Sequence, residues 1–384
     1  MRPLVMIPGP IEVDDAVVRA LGRPPKSHLD PEFIDTFGRA IERLRKVFQA
    51  PKGQPFIVAG SGTLAMEMSV ANLIEPGDRA VVADIGYFGA RMADVLERHG
   101  AVVTRVSAEP GEVPAMEDVK RALAGAKVLA ITHVDTSTAV RNDVRALAAL
   151  GREQGALVVV DGVCSVGGEE LPQEAWGVDV VLTASQKAIG APPGLALLVA
   201  SERAIGAWRA RKHKVASYYA DFGLWLPIME AYEARKPKYF ATPAVNLIEA
   251  LDEALRVLLD DGIAKRVEMH QRTAGAFRAA WKALELKLLP TSVDHAATTL
   301  SALFYPAGVD ASLVGAVRKE GVVIAGGLHP ELGTKYFRVG HMGACMAAEV
   351  LDAVGAIERA LAAMGYKPHA VGRAVAAAQA ALVA

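Results

Sequence analysis

The sequence lacks the features that mark secreted, nucleic-acid-binding and membrane-spanning proteins. Only 2 of its 384 residues are cysteine, Cys164 and Cys345, which excludes a disulfide framework and fits a reducing compartment. The 42 Lys and Arg residues and 43 Asp and Glu residues leave a net charge of −1, so no surface for nucleic acid or anionic lipid is predicted. No apolar run approaches the roughly 20 residues that a membrane helix needs.

We do not expect a targeting signal in the residues at either end of this sequence. Residues 1–10 are proline-rich and have too short an apolar part for a signal peptide. The final Leu382-Val383-Ala384 differs from the peroxisomal Ser-Lys-Leu signal. The histidines show no metal-ligand spacing such as His-Glu-x-x-His. We therefore expect a cytoplasmic protein, and we predict no metal site.

What is present is a chain that is 52% hydrophobic, with 35 Gly and 21 Pro, enough for one large and one smaller domain. From about residue 55 to 200, apolar runs alternate with amphipathic segments, which predicts an α/β fold with a mostly parallel, seven-stranded sheet between helices. The predicted strands are Pro55–Ala59, Arg79–Asp84, Val102–Ser107, Val128–Val134, Leu157–Val163, Val178–Ser185 and Gly194–Ala200. The predicted helices between the earlier strands are Thr63–Ile74, Gly89–His99, Met116–Ala124 and Asp143–Gln154.

The second half of the chain predicts a different organisation. Residues 208–242 look irregular and aromatic-rich, and a long helix over 245–284 follows, with a break near 260–262. The remainder predicts a small α+β domain with strands Thr298–Tyr305, Val322–Ala325 and Tyr336–Gly340 and helices Asp310–Glu320, Ala347–Met364 and Val371–Val383. The predicted divisions are an N-terminal segment beside the substrate (1–20), a large cofactor-binding domain (21–260) and a small C-terminal domain (261–384).

A lysine after one buried strand and an aspartate at the end of another are the most informative pair. Lys187 follows the strand over 178–185 and precedes a Pro-Pro-Gly turn, and Asp161 ends the strand over 157–163. A buried ammonium is costly unless it is paired or neutralised, and a lysine in such a place readily forms a Schiff base with an aldehyde. An acid paired with such a lysine is typical of pyridoxal phosphate enzymes, in which it keeps the pyridine nitrogen protonated. The alternative for Asp161 is a helix cap or turn.

A glycine-rich turn supplies a candidate phosphate site. Gly60-Ser61-Gly62-Thr63 follows a strand and opens a helix, where free backbone N–H groups and hydroxyls favour an anion. It lacks the lysine of a nucleoside triphosphate loop. Alone it would be read as an ordinary N-cap turn, but the lysine and aspartate favour the phosphate.

Three further positions could contact the cofactor ring. Phe88 could stack on one face of the ring and Val163 could pack on the other. Thr136, in a Thr-Ser-Thr run, offers a hydroxyl to the ring's phenolic oxygen. Core packing for Phe88 and Val163, and helix capping for Thr136, remain alternatives.

Arg338 is the candidate anchor for the substrate carboxylate. It lies inside an otherwise apolar strand, and arginine is the preferred bidentate partner of a carboxylate. A structural salt bridge is the alternative. Cys345, near a helix start where a thiolate could be favoured, would be the nucleophile of a cysteine desulfurase-like lyase, whereas Cys164 is expected to be a small buried residue. His133 is expected to be a packed pocket wall.

Taken together, the motifs resemble those of class V (fold type I) pyridoxal phosphate aminotransferases, over most of the chain from residue 7 to about 343. The resemblance is carried by Ile7–Pro10, Gly60–Thr63, Thr132–Thr138, Val160–Ser165, Ala184–Ala188, Tyr239–Pro243, Val323–Gly327 and Arg338–Gly343. The most similar branch is that of the fungal and bacterial alanine–glyoxylate aminotransferases, related to serine–pyruvate aminotransferases.

The resemblance implies a role for each matching residue. Lys187 would be the Schiff-base lysine and Asp161 the partner of the pyridine nitrogen. The residues implied to hold the phosphate are Ser61, Gly62, Thr63 and Gln186. Phe88 would stack on the ring where many relatives carry Trp, and Gly9 would border the substrate. Tyr239 and Thr242 would reach the phosphate of the neighbouring subunit, which implies a homodimer with composite sites.

The implied reaction is transfer of the amino group of L-alanine, or of L-serine, to glyoxylate, giving pyruvate and glycine from alanine. Arg338 is the one carboxylate anchor that the motifs identify, which favours a small substrate, although a cation on the loop 212–219 would overturn this. Serine–pyruvate or 2-aminoethylphosphonate transamination, the lyase, and a non-catalytic pyridoxal phosphate-binding module remain alternatives.

Overall fold

A computed structural model describes residues 2–383. These residues form twelve β-strands, thirteen α-helices and one 3₁₀ turn at Val293–His295. The strands are β1 Leu4–Val5, β2 Gln54–Ala59, β3 Arg79–Asp84, β4 Val102–Ser107, β5 Val128–Thr132, β6 Leu157–Asp161, β7 Val180–Ala184, β8 Leu195–Ala200, β9 Leu300–Phe304, β10 Val322–Val323, β11 Ala325–Gly326 and β12 Tyr336–Gly340. The helices are α1 Asp15–Leu21, α2 Pro31–Val47, α3 Gly62–Leu73, α4 Tyr87–Arg98, α5 Met116–Ala122, α6 Val144–Glu153, α7 Glu202–Arg209, α8 Phe222–Glu233, α9 Val245–Asp261, α10 Ile263–Ala283, α11 Leu313–Lys319, α12 Ala347–Ala363 and α13 Arg373–Val383.

Seven strands form one sheet in the order β2-β8-β7-β6-β5-β3-β4. Strand β8 is antiparallel to both of its neighbours, and the other adjacent pairs are parallel. Every residue of β5, β6, β7 and β8 is buried, as expected of apolar strands covered by helices on both faces. The predicted α/β fold with a mostly parallel, seven-stranded sheet is confirmed.

This topology places several strand ends at one edge of the sheet. Because β2 and β7 are both antiparallel to β8, β2 runs in the same direction as β7, β6, β5 and β3. The carboxyl ends of these five strands therefore lie along a common edge. Ligands of open α/β sheets bind at such an edge.

The prediction that residues 208–242 are irregular is wrong in part, because α8 lies within them. The Asp221 side chain accepts a hydrogen bond from the N–H of Gly223, which caps the start of the helix. The helix is apolar on most sides and contains Pro227, so it shows no one-sided stripe in the sequence. Helix α2, which begins with Pro31 behind the capping Asp30, also lies in a part of the chain (11–54) where no helix or strand is predicted.

A second group of strands lies towards the C-terminus. Strand β12 pairs antiparallel with β11 and with β9. The predicted single strand over 322–325 is wrong: β10 pairs with β1 near the N-terminus, whereas β11 pairs with β12. Ile324 separates the two strands, which belong to different sheets. The predicted break in the long helix is confirmed at Gly262, whose φ of +86° suits glycine.

We call residues 14–262 the large lobe and residues 263–383 the small lobe. One apolar cluster fills the large lobe, and a second joins helices α10, α11, α12 and α13 to the small sheets. The first residues of the N-terminal segment (residues 2–13) pack on the small lobe, since Met6 belongs to the second cluster. Among residues 2–383, no helix has both the length and the apolar character to cross a membrane. The predicted domain limits, which include the undescribed residues 1 and 384, stay predictions.

Candidate active site

The site lies at the edge where five strands end. Ser61 comes two residues after β2, Lys187 three residues after β7, and Asp161 is the last residue of β6. Thr136 follows β5, and Phe88 lies in the first turn of the helix after β3. The sheet thus brings together residues that are up to 126 positions apart (187 − 61) in the sequence.

Lys187 is buried, with 7% of its surface exposed, and it faces the N-terminal segment. Its Nζ donates a hydrogen bond to the carbonyl oxygen of Pro8. The next residue, Gly9, has a φ of +93°, and a Cβ atom there would lie 2.6 Å from Lys187 Cδ. A side chain at Gly9 would therefore displace the lysine, which places the N-terminal segment directly against the candidate catalytic amine.

Asp161 is 3% exposed and sits on the strand beside that of Lys187. One carboxylate oxygen accepts a hydrogen bond from the N–H of Val163 at 2.9 Å. Burial raises the pKa of Asp161 to about 7, opposed by the Val163 amide and by the charges of Lys187 and Arg91. Within residues 2–383 this carboxylate forms no ion pair, so it is suited to a cationic partner that enters the site.

The segment after β5 holds the start of α4 in place. The carboxylate of Asp135 accepts hydrogen bonds from the N–H groups of Phe88 at 2.8 Å and Gly89 at 3.4 Å. Ser137 Oγ accepts another from the N–H of Tyr87 at 3.1 Å. These contacts cap the helix and fix the position of the Phe88 ring next to the sheet edge.

Of the three neighbouring hydroxyls, that of Thr136 has no nitrogen or oxygen partner within residues 2–383. Thr138 Oγ1 donates to the carbonyl oxygen of Ile85, and Ser137 Oγ is bonded to Asp135 and Tyr87. The Thr136 side chain lies beside the thiol of Cys164. The fully buried Cys164 confirms the expectation of a small buried residue.

The turn after β2 forms an open helix start. Ser61 is the N-cap of α3, yet its side chain accepts no hydrogen bond from the helix. A Cβ atom at Gly62 would lie 3.1 Å from Val163 Cγ2 and 3.3 Å from Ala184 Cβ, so glycine allows α3 to approach the strands that carry Asp161 and Lys187. Within residues 2–383 the N–H groups of Gly62 and Thr63 have no acceptor, as in an anion site.

These features fit pyridoxal phosphate. The Gln186 side-chain oxygen is buried without a hydrogen-bond partner in the described chain, next to Lys187. The open helix start suits a phosphate, the buried Asp161 suits a pyridinium, and the lysine suits an aldehyde. Among residues 2–383, no group of three His, Cys, Asp or Glu side chains is placed to hold a metal ion.

Arg338 lies on β12, the central strand of the small sheet, and is 9% exposed. Its Nε donates to the carbonyl oxygen of Gly326 at 2.8 Å, and one terminal nitrogen donates to that of Thr136 at 3.0 Å. No carboxylate of residues 2–383 pairs with it, so the structural salt bridge considered as an alternative is absent from the described chain. The remaining N–H groups are available for a substrate carboxylate.

Two predicted residues lie away from this cluster in the chain itself. Tyr239 is 62% exposed, with its ring centroid 5.5 Å from that of His28, and Thr242 is also exposed. Neither has a hydrogen bond to the helix start at Ser61 within residues 2–383. Their contribution to a neighbouring subunit stays a prediction.

The structure does not favour a thiolate at Cys345, the nucleophile that the lyase alternative would need. Burial and the nearby carboxylate of Glu349 raise the pKa of Cys345 to about 12, so the thiol stays protonated. The helix it precedes begins only at Ala347. His133 is buried as predicted, and burial lowers its pKa to about 3, so it is neutral.

The structure brings to the site three residues that have no predicted role. Asp135 caps the Phe88 helix, Arg91 lies over the Phe88 ring, and Tyr336 contacts the Thr136 loop. A signal existed for Asp135, because an aspartate directly before a Thr-Ser-Thr run after a buried strand is a common capping arrangement. Arg91 and Tyr336 act through contacts that no local pattern encodes.

Comparison with known proteins gives consistent matches. The family model described as aminotransferase class-V matches residues 18–344. The chain is 40% identical over 355 residues to alanine–glyoxylate aminotransferase 1 of Saccharomyces cerevisiae, covering 88% of this chain and 91% of that protein.

Two crystal structures are similar over nearly the whole chain. That of ureidoglycine–glyoxylate aminotransferase from Bacillus subtilis has a TM-score of 0.93 at 28% identity, covering 100% of this chain and 99% of that one. That of alanine–glyoxylate aminotransferase from Nostoc sp. has a TM-score of 0.89 at 34% identity, covering 94% and 96%. The two share an acceptor in their names and differ in the donor.

Proposed function

Since this chain belongs to the class V aminotransferase family and is a transaminase, we propose that it transfers the amino group of a small amino acid to glyoxylate. L-Alanine is the proposed donor and L-serine a second one, and alanine and glyoxylate yield pyruvate and glycine. The 40% identical yeast relative is named for alanine and glyoxylate, which supports this choice.

The family implies pyridoxal phosphate, and the chain's residues can be assigned around it. The phosphate contacts would be Ser61, Gly62, Thr63 and Gln186, with Tyr239 and Thr242 contributed from a second copy in a homodimer. Phe88 and Val163 would pack on the ring faces, Thr136 would contact the phenolic oxygen and Asp161 the pyridine nitrogen. When bound, the cofactor supplies an aldehyde that takes up the amino group and a ring that withdraws electrons from the reacting carbon.

Lys187 is the proposed catalytic residue. Its amine would hold the cofactor's aldehyde between turnovers and would be free to move a proton once the donor's amino group has replaced it. Nζ would then take the proton from the donor's α-carbon and deliver it to the carbon that had carried the aldehyde, and with the acceptor the same two transfers would run in the opposite order. The hydrogen bond to the Pro8 carbonyl gives the freed amine a fixed partner, and Gly9 beside it leaves room for the substrate.

The donor proposal rests on one observation: Arg338 is nearly buried and has no acidic partner within residues 2–383. The guanidinium is nearly buried, two of its nitrogens bond backbone carbonyls, and no carboxylate of residues 2–383 neutralises it. A charged group held in this way favours one carboxylate of a bound substrate. A donor with a single carboxylate and a short side chain satisfies it without a second cation.

The test is a spectroscopic titration of the cofactor-loaded protein. We expect L-alanine and L-serine to remove the absorbance band of the lysine-bound cofactor and glyoxylate to restore it. L-Aspartate and 2-aminoethylphosphonate are the matched alternatives. Conversion by aspartate alone would refute the small-donor proposal, and no change with any of the four would favour a non-catalytic binding protein.

A lyase with a cysteine nucleophile is not carried further, because the raised pKa of Cys345 disfavours its thiolate. The homodimer and the cytoplasmic location stay predictions from the sequence.

A further inference from the structure

A partly buried arginine lies between the ring position and the phosphate position without an acidic partner. Arg91 is on the first turns of α4, three residues after Phe88. Its guanidinium carbon is 4.8 Å from the centroid of the Phe88 ring and 4.9 Å from that of Tyr87. One terminal nitrogen donates to Thr63 Oγ1 at 3.2 Å. This side chain therefore connects the helix of the stacking residue with the open start of α3.

The charge of Arg91 lowers the pKa of the Asp161 carboxyl, but it acts on that group only at a distance. No carboxylate of residues 2–383 pairs with Arg91, whereas Arg105 on β4 pairs with Asp84 at 2.6 Å. An arginine that gives up part of its hydration without an acidic partner is unfavourable unless another anion occupies the site. The adjacent N–H groups of Gly62 and Thr63 also lack acceptors in the described chain.

The phosphate contacts assigned above contain no cation. Ser61, Gly62, Thr63 and Gln186 offer hydroxyls, amides and one side-chain amide, and the positive end of α3 adds only a partial charge. A phosphate monoester carries between one and two negative charges at neutral pH. Arginine matches phosphate geometry with parallel N–H donors.

We propose that Arg91 is a further cofactor-binding residue that supplies the positive charge for the phosphate through the Thr63 side of the site. The inference rests on the proposed function, since the anion is the phosphate of pyridoxal phosphate. In this proposal Arg91 contacts the phosphate group. The alternative is that Arg91 only packs on the Phe88 ring.

The experiment compares two ligands that differ only in the phosphate. Apoprotein of the wild type, Arg91→Gln, Arg91→Lys and Arg98→Gln is titrated with pyridoxal phosphate and with pyridoxal, and the dissociation constants are measured by absorbance and fluorescence. Arg98 is the control because it is an exposed arginine at the other end of the same helix. Circular dichroism and thermal unfolding confirm that each variant is folded.

We expect Arg91→Gln to raise the dissociation constant of pyridoxal phosphate roughly tenfold, in line with loss of a charge-assisted hydrogen bond. The constant for pyridoxal should change less than about twofold, so the ratio of the two ligands isolates the phosphate. Arg91→Lys should recover part of the loss, and Arg98→Gln should change neither constant. Inorganic phosphate should raise the melting temperature of wild-type apoprotein more than that of Arg91→Gln.

Three results would overturn the inference. An equal rise for both ligands would mean that Arg91 acts through the Phe88 ring. Unchanged constants for both ligands would mean that Arg91 contributes nothing to binding. Failure of the wild type to bind either ligand would refute the proposed function itself, and that outcome is distinguishable from the other two.

Discussion

The two halves of the candidate site are built in different ways. The large-lobe half consists of residues at strand ends, with Lys187, Asp161 and the turn at Ser61 each within three residues of a buried strand. The small-lobe half consists of Arg338 and Tyr336, whose side chains hold backbone groups of the other lobe. Under the proposed roles, the chemical step depends on local geometry along one sheet edge, whereas substrate recognition depends on how the two lobes meet.

This difference predicts separable effects of substitution. Changes in the large-lobe half should alter the cofactor and the chemical step, and should appear in kcat. Changes in the small-lobe half should appear first in KM for the amino acid. Four substitutions examine that division.

The largest effect is expected for Lys187→Ala. Loss of the amine that moves the α-proton should lower kcat by at least roughly 10²- to 10⁴-fold. Circular dichroism should show an unchanged fold, because the substitution removes one hydrogen bond to Pro8. The absorbance band of the lysine-bound cofactor should disappear.

Lys236→Ala, at an exposed position, is the control and should behave as the wild type. Borohydride reduction and peptide mapping locate the modified lysine directly. An active, yellow Lys187→Ala protein would mean that another lysine binds the cofactor.

The next largest effect is expected for Asp161, whose protonation should change the stability of the apoprotein. Burial raises the pKa of Asp161 to about 7, so between about pH 4 and pH 7 the folded apoprotein holds a proton that the unfolded chain has released. The free energy of unfolding therefore falls as pH rises through this window, and the loss is complete above it. Asp161→Asn removes the titration and should stabilise the apoprotein at pH 8 by up to about 4 kcal/mol.

Urea unfolding of the apoprotein from pH 4 to pH 8 measures how the free energy of unfolding depends on pH. The variant and the wild type should agree near pH 4 and diverge as pH rises. Asp94→Asn, at an exposed position on α4, should leave the pH dependence unchanged. Parallel curves for Asp161→Asn and wild type would show that Asp161 is already ionised in the folded apoprotein.

The third substitution examines the small-lobe half. Arg338→Gln should raise KM for L-alanine by about 10- to 100-fold, since a hydrogen bond to a charged group contributes about 1.5–3 kcal/mol. The effect on kcat should be smaller. Arg338→Lys should recover part of the affinity, because an ammonium keeps the charge without the planar pair of donors.

Arg278→Gln is the matched control. The guanidinium of Arg278 also donates to two backbone carbonyls, those of Ala296 and Ala297, at 3.0 and 2.9 Å. Its loss should reduce stability and leave KM unchanged. If Arg338→Gln behaved in the same way, Arg338 would be structural and the carboxylate anchor would lie elsewhere.

The large-lobe half could be predicted from the sequence and the small-lobe half only in part. Lys187 and Asp161 can be recognised in the sequence because each is a charged residue at the end of a run of buried apolar residues. Arg338 is visible for the same reason on β12. The strands were placed within a few residues because each is a short apolar run bounded by turns.

The parts that escaped prediction depend on contacts between distant residues. Helix α8 is apolar on most sides, so periodicity did not reveal it. Strand β10 has its partner more than 300 positions away in β1, and two residues are too few for a pattern. The Arg91 contact with Thr63 and the Tyr336 contact with Ser137 are side-chain geometries that only the folded chain defines.

Tyr336 gives the smallest and most specific effect. Its hydroxyl is fully buried, donates to the carbonyl oxygen of Ser137 at 2.5 Å and accepts from the N–H groups of Leu328 and His329, both at 2.9 Å. Two positions along β12, Arg338 bonds the carbonyl of Thr136, so the strand holds two successive carbonyls of the loop beside the cofactor site. Tyr336→Phe leaves three backbone groups without a partner and should destabilise the protein by about 1–3 kcal/mol.

Because Tyr336 acts on the loop that Arg338 also contacts, Tyr336→Phe should raise KM for L-alanine by a factor of roughly 3–10 and leave kcat within about twofold. Tyr305→Phe is the matched control, since Tyr305 directly follows β9, its ring packs on that of Phe337 of β12, and its buried hydroxyl has no hydrogen-bond partner within residues 2–383. It should change neither KM nor stability appreciably. A fall in kcat with constant KM for Tyr336→Phe would mean that the contact between the lobes controls the chemical step, and the division between the two halves would fail.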